Sequence, residues 1–199
     1  MAESRELQAG SSGTGGGKKK LYLIGGPMGV GKTAVSRCLK ETLDNSVFLD
    51  GDWCWDASPF QVTVETKAMV LDNICHVLNN FLDCPVYENV LLCWVMHRQD
   101  ILDTILGRLH REKCRVVCGS LLCEEKILAR RLSRDIRNGL RTKEIIERSL
   151  SYLPLYAELA TEKIDVSDIP PEEAAMRIAN LGKEQVHCGK KDCPETNAG

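Results

Sequence analysis

The sequence predicts an α/β protein of three layers, with a five-stranded parallel sheet held between two layers of helices. Three observations predict it. Short apolar runs alternate with stretches of helical spacing along most of the chain. The apolar runs are hydrophobic at consecutive positions, as strands covered on both faces are. The first run ends in a glycine-rich turn that opens into a helical stretch.

The elements follow in order. "KLYLIGG" at residues 20–26 is short, apolar and closed by glycines, so it reads as a buried first strand. Residues 33–43 place Val35, Leu39 and Leu43 at helical spacing. "SVFLD" at 46–50 is the second strand. Residues 62–81 carry Met69, Val70, Ile74, Val77, Leu78 and Phe81 on one helical face, and Cys84-Pro85 ends the pattern. "NVLLCWVM" at 89–96 is a third strand, apolar on both faces. Residues 99–110 are helical through Ile101, Leu102, Ile105 and Leu109, and "CRVVCGSLL" at 114–122 is the fourth strand. Helical stretches at 124–138 and 142–160 precede a fifth strand, "KIDVS", at 163–167. "PPEEAAMRIANL" closes the pattern as a helix with proline at its start. In open parallel sheets ligands bind beyond the carboxyl ends of the strands. The residues to inspect are therefore those after Ile24, Leu49, Met96, Leu121 and Val166.

Composition bounds the function. The 199 residues suit one domain, with 43% apolar and 27% charged residues. A net charge of −2 gives no general pull toward nucleic acid or an anionic membrane. No apolar run approaches the roughly 20 residues that span a bilayer. Residues 1–19 read as a flexible Gly/Ser-rich tail without the apolar core of a secretory signal, and residues 183–199 as a second flexible tail. The domain is expected at 20–182, and the expected location is cytoplasmic. The ten cysteines show no framework spacing and read as thiols in a reducing compartment. His187, Cys188 and Cys193 form only a faint metal-ligand pattern and are read as part of the tail.

After the first strand comes "GGPMGVGKT", which contains G-x-x-x-x-G-K-T from Gly26 to Thr33. Glycines let backbone N–H groups curl around phosphate oxygens, and the following helix adds its positive end. The cradle comprises Gly26, Pro27, Met28, Gly29, Val30, Gly31, Lys32, Thr33 and Ala34. Lys32 can reach the β- and γ-phosphates, and the Thr33 hydroxyl can coordinate magnesium. ATP and Mg²⁺ are the expected cofactors. This motif, with a strand before it and a helix after it, resembles the P-loop NTPases.

The second strand runs into "DGD". Residues i and i+2 of a strand share a side, so Asp50 and Asp52 can face one cleft, with Gly51 leaving room for a substrate. One carboxylate can hold magnesium or its waters, and the other can orient an acceptor hydroxyl and take its proton. The bland alternative is that the aspartates cap backbone groups at a strand-to-turn junction. No N-K-x-D guanine reader occurs, which favours ATP, and the third strand lacks the acidic end of a motor ATPase. With "FLDGD", the chain resembles small-metabolite P-loop kinases. Gluconate and adenylylsulfate kinases carry a similar D-G-D, and shikimate kinases and chloramphenicol phosphotransferases have related acidic positions. The chain as a whole, with "DGDWCWD" and "CWVMH", also looks like proteins grouped as nucleotide kinases or AAA-family ATPases. The resemblance implies a strand order 2-3-1-4-5, with Asp50 nearer the metal and Asp52 nearer the acceptor. The sequence departs from gluconate and adenylylsulfate kinases at Trp53, Cys54 and Trp55.

Trp53 and Trp55 either wall the acceptor pocket or pack their loop onto the helix at 62–81. His97 and Arg98 stand at the ligand edge, for substrate contact or for capping and surface pairing. Arg130, Arg134, Arg137 and Arg141 are spaced 4, 3 and 4, along one face of a helix, with Arg131 beside them. Such a stripe suits a lid at 130–142 closing on a triphosphate, or a solvated basic face. The family pattern implies Arg130 or Arg131 near the base and Arg134 near the phosphates. The expectation is a kinase that uses ATP to phosphorylate a small nucleoside-, nucleotide- or sugar-like acceptor. A nucleotide-binding sensor without transfer is the alternative. A kinase for polynucleotide ends is a further rival, and the near-neutral charge gives no sign of one.

Overall fold

The structure is a computed structural model, and it describes residues 18–183. The two faint-ligand cysteines, His187 and nearly all of both tails lie outside the described residues. Lys19 already belongs to the first strand, one residue before the boundary expected for the domain.

Five parallel strands, β1 (Lys19–Gly25), β2 (Ser46–Asp50), β3 (Asn89–Cys93), β4 (Cys114–Leu122) and β5 (Glu162–Asp165), form one sheet in the order β2-β3-β1-β4-β5. Among the described residues six α-helices connect and cover them: α1 (Lys32–Thr42), α2 (Val64–Asp83), α3 (Gln99–Arg108), α4 (Glu125–Arg137), α5 (Ile145–Ala157) and α6 (Pro171–Leu181). This is the expected fold and strand order. Alternation along β1 shows why both faces need cover. Tyr22 and Ile24 enter a core with residues of α1, α4 and α6, while Leu21 and Leu23 enter a second core with residues of α2 and α3. Helix α5 serves both, through Ile145 at one end and Tyr156 at the other.

Several boundaries differ from the sequence reading, each for a local reason. Helix α2 starts at Val64 because Thr63 and Thr66 form a reciprocal capping box, which leaves Phe60 and Val62 in an exposed loop. Strand β3 stops at Cys93, so Trp94 to Arg98 are a loop and Arg98 precedes the first residue of α3. Helix α4 stops at Arg137, and Gly139 turns the chain with φ 72°. Arg141 is therefore not on the helix that carries Arg130, Arg134 and Arg137, and the four-arginine stripe is broken at its last member.

The register sets the site. Ile24, Cys93 and Asp50 are level on β1, β3 and β2, so three strands end on one line. Among the described residues no helix is long and apolar enough to cross a membrane.

Candidate active site

The loop from Gly26 to Gly31 joins β1 to α1. Gly31 occupies the position before α1 with φ 111° and supplies no side-chain cap, and the first turn of α1 holds no acid. The leading N–H groups and the positive helix end are thus left for an anion. Gly29 sits at φ 79°, and a Cβ there would lie 2.5 Å from a Leu132 methyl. Glycine is required on both counts. The loop is braced from behind. Buried Ser149 donates to the Met28 carbonyl at 2.6 Å. The Arg131 guanidinium donates to the Val30 carbonyl at 2.9 Å and to the Val166 carbonyl at 2.7 Å.

Lys32 folds back so that its ammonium donates to the Pro27 carbonyl at 3.0 Å. Burial pushes its pKa down to about 8, against the opposing pull of Asp52 and Asp50. Thr33 donates from its hydroxyl to Asp50 Oδ2 at 2.8 Å and lies 3.9 Å from Cys93 Sγ. Strand β3 separates β2 from β1, so this bond passes over the end of β3, where Cys93 is small enough to sit beneath it. Asp50 is only 7% exposed. Its other oxygen accepts from the Asp52 N–H at 3.2 Å and starts a short 3₁₀ turn over Gly51–Cys54. One Asp50 oxygen thus caps a turn, as the bland alternative had it, and the other meets Thr33.

Asp52 lies in that turn and not in a strand, so it is the turn that sets its direction. Asp50 and Asp52 nonetheless line the same cleft. The surrounding protein, more than the Asp50 charge, raises the Asp52 pKa, although the residue still reaches solvent. Lys32, a hydrogen bond from the Trp94 indole and Arg141 act in the lowering direction. Gly51 allows this arrangement, because a Cβ there would lie 2.5 Å from the Trp94 ring.

Two cavities meet at this point. One, of about 450 Å³, is lined by Met28 to Val35 of the glycine loop and α1, by Asp50 and Asp52, and by Arg131, Arg134 and Arg141. The other, of about 1000 Å³, is lined by Trp53, Trp55, Phe60, His97, Arg98, Arg148 and Tyr152, among others. Asp52, Trp94, Val95, Arg141 and Met28 line both. Trp53 is 60% exposed and packs edge-on to Phe48. Trp55 packs on Phe60 and also against the core beneath α2, where Asn73 donates to the Cys54 carbonyl. Wall and packing roles are thus both present in the tryptophan loop. His97 stacks on Tyr152 at 4.1 Å, and burial lowers its pKa, which favours the neutral ring. Arg98 is exposed and is engaged by Asp100 through two nitrogens.

The structure does not bring every expected residue to the cleft. Arg130 is exposed and does not line either cavity. Arg131 lines the first, but its N–H groups are spent on carbonyls of the loop and of the β5 exit. Trp94, Arg148, Tyr152 and Ser149 were not singled out by the sequence. Trp94 could have been, since ending β3 with "LLC" puts it at the ligand edge. Ser149 and Tyr152 carry no sequence signal, because their role depends on where α5 crosses the sheet.

Comparisons with known proteins agree with this fold. A gluconokinase from Sinorhizobium meliloti 1021 has a TM-score of 0.62 at 19% identity, covering 82% of this chain and 92% of its own. A shikimate kinase from Acinetobacter baumannii has a TM-score of 0.56 at 24% identity, covering 83% and 93%. A Mycobacterium tuberculosis APS kinase has a TM-score of 0.57 at 15% identity, covering 84% and 99%. At such identities the likeness is one of fold alone. A search of curated proteins gave no match. A family model described as an AAA domain matches residues 23–149, more than half of the chain from β1 into α5, and the chain belongs to that family of P-loop proteins.

Proposed function

We propose that the protein is an ATP-dependent phosphotransferase that moves the γ-phosphoryl group to an acceptor hydroxyl on a small molecule. The observation that carries this reading is the meeting of two cavities at Asp52, one floored by the phosphate cradle and the other walled by aromatic rings. A nucleotide-binding sensor needs only the first cavity.

In this reading the polyphosphate lies over residues 26–33, with Lys32 neutralising its terminal oxygens. The hard oxygen donors of Thr33 and Asp50, 2.8 Å apart, fit Mg²⁺, which pairs one or two protein ligands with phosphate oxygens and waters. Bound there, the ion would neutralise charge on the β- and γ-phosphates. Asp52 takes the proton of the acceptor hydroxyl as its oxygen bonds to the γ-phosphorus. The bond from that phosphorus to the bridging oxygen breaks, and ADP leaves with the electron pair. A raised pKa makes Asp52 a better proton acceptor than an ordinary carboxylate. Arg134 and Arg141, both lining the nucleotide cleft, stabilise the transferring group, and residues 130–142 act as the lid.

The test is an ADP-release screen across nucleosides, nucleotides, sugars and sugar acids, run beside Asp52→Asn. The expected result is acceptor-dependent ADP release in the parent and its loss in the variant, with ATP binding retained. Full acceptor turnover by Asp52→Asn refutes the assigned role, and ATP binding without release on any acceptor refutes the activity.

A further inference from the structure

The second cavity is unusual for this chain. It collects all three tryptophans, Trp53, Trp55 and Trp94, together with Phe60 and Tyr152. The chain has only ten Phe, Trp and Tyr residues, so half of them converge on one surface. Two of the rings, Trp53 and Phe60, are each 60% exposed, and large aromatic faces left in water favour a partner that covers them. The rings are already held by neighbours, Trp55 by Phe60 and Tyr152 by His97, so little side-chain freedom is lost when a flat ligand is covered.

The polar groups narrow the ligand further. Among the described residues no Asn, Gln or Ser lines the cavity, and its polar groups other than cations and indoles are Thr104, the Tyr152 phenol, His97 and the carboxylates of Asp52, Asp56 and Asp100. Of the cations, Arg98 is taken by Asp100, and Arg141 is 3.5 Å from Asp135. Lys67 on α2, which also lines the cavity, and Arg148 make no ion pair among the described residues, and of the two Arg148 is the one that can meet an anionic group through a planar fork. It stands one helical turn from Tyr152 on α5, so its guanidinium belongs to the same face as the stacked rings.

We propose that this cavity takes a nucleotide-like acceptor: an aromatic heterocycle against the tryptophan wall, joined to an anionic group that Arg148 receives. The inference rests on the phosphotransferase reading and chooses among its acceptor classes.

Because all three tryptophans line the cavity, their fluorescence reports its occupancy. The cradle is first saturated with Mg²⁺ and a non-hydrolysable ATP analogue. The protein is then titrated with the 3′- and 5′-monophosphates of adenosine, guanosine, cytidine and uridine, with the parent nucleosides, and with gluconate and shikimate. The expected result is saturable quenching by at least one monophosphate, about tenfold or more tighter than its nucleoside and than either polyol. Arg148→Ala should abolish the preference of monophosphate over nucleoside while leaving the nucleoside's own affinity unchanged. Phe60→Ala, at an exposed position, should weaken both.

Polyols bound as tightly as the monophosphates overturn the proposal, as does a full monophosphate preference in Arg148→Ala. A 5′-hydroxyl oligonucleotide bound more tightly than any mononucleotide overturns the small-molecule class. ADP release separates this inference from the activity beneath it. Turnover on gluconate or shikimate alone sinks the ligand class and leaves phosphotransfer standing. Monophosphate binding with no ADP release from any acceptor supports the ligand class and sinks phosphotransfer.

Discussion

The Thr33 hydroxyl donates to Asp50 Oδ2 at 2.8 Å, across the end of a strand that belongs to neither residue. The bond joins the phosphate cradle to the carboxyl end of β2, and it depends on Cys93 being small where β3 ends between them. Cys93 itself stays protonated, since burial pushes its thiol up to about 12. The pair of oxygens is therefore the hard, anionic feature at the foot of the cleft.

Under the proposed reading, Asp50→Asn keeps the shape of this pair and removes its charge. The expected outcome is a loss of about 10–100-fold in the Mg²⁺ dependence of ATP binding, the range seen when groups that orient metal ligands are changed. Titration calorimetry with and without Mg²⁺ reads it directly. A variant in which the ion strengthens ATP binding as much as in the parent sinks the metal role of Asp50.

Lys32 gives a pH prediction. Its pKa is held down to about 8 by burial, and a polyphosphate placed beside it pulls that value back up. Nucleotide binding above pH about 8 therefore takes up a proton, and affinity falls by up to about tenfold per pH unit beyond that point. Calorimetry at pH 8.5 in buffers of different ionisation enthalpy should show uptake, and Lys32→Arg should remove it. The ligand-free fold responds with the opposite sign. Its unfolded lysine binds more protons between about 8 and the ordinary 10.5, so folding stability rises with pH across that window. Zero proton uptake in the parent protein would contradict the burial argument.

Gly51→Ala tests the link between the DGD turn and Trp94. The added Cβ would sit 2.5 Å from the indole ring, and a packed ring cannot yield as a flexible chain end could. Overpacking of this kind costs about 1–3 kcal/mol and moves the indole from the Asp52 carboxylate. Lower thermal stability is expected, with reduced acceptor turnover and nearly unchanged ATP affinity. A variant as stable and as active as the parent would mean that the two elements are not mechanically joined.

Much of this was legible in the sequence, and the failures have physical causes. The strand order followed from the resemblance, and the elements from apolar runs and helical spacing, because both core faces of the sheet impose a strong pattern. The cradle was legible because its chemistry is local. Errors came where a tertiary contact or a cap sets a boundary. Trp94 looked like strand because it is apolar, yet its place beyond Cys93 makes it part of the site edge. Arg141 looked like the fourth member of a helical stripe, but a turn at Gly139 carries it off that helix and into the cleft. The helical stretch was expected to begin at Val62, whereas the Thr63 cap leaves Val62, with Phe60, in the loop that lines the second cavity.

The neighbouring arginines Arg130 and Arg131 supply the sharpest contrast between spacing and geometry. The family resemblance implied one or the other near the nucleotide base. Arg131 instead ties the Val30 and Val166 carbonyls together through two separate nitrogens, while Arg130 is exposed and outside the cleft. A lysine offers a single point of donation and cannot span two carbonyls set by a planar fork. Arg131→Lys should therefore orphan one partly buried carbonyl, at a cost of about 1–3 kcal/mol, and loosen the cradle. Lower thermal stability and weaker ATP binding should appear together. Arg130→Ala, on an open surface, should change stability by no more than about 0.5 kcal/mol. Differential scanning fluorimetry with and without ATP checks both variants in one experiment. If Arg130→Ala weakens ATP binding while Arg131→Lys does not, the brace is wrong and the nucleotide contact belongs to Arg130 after all.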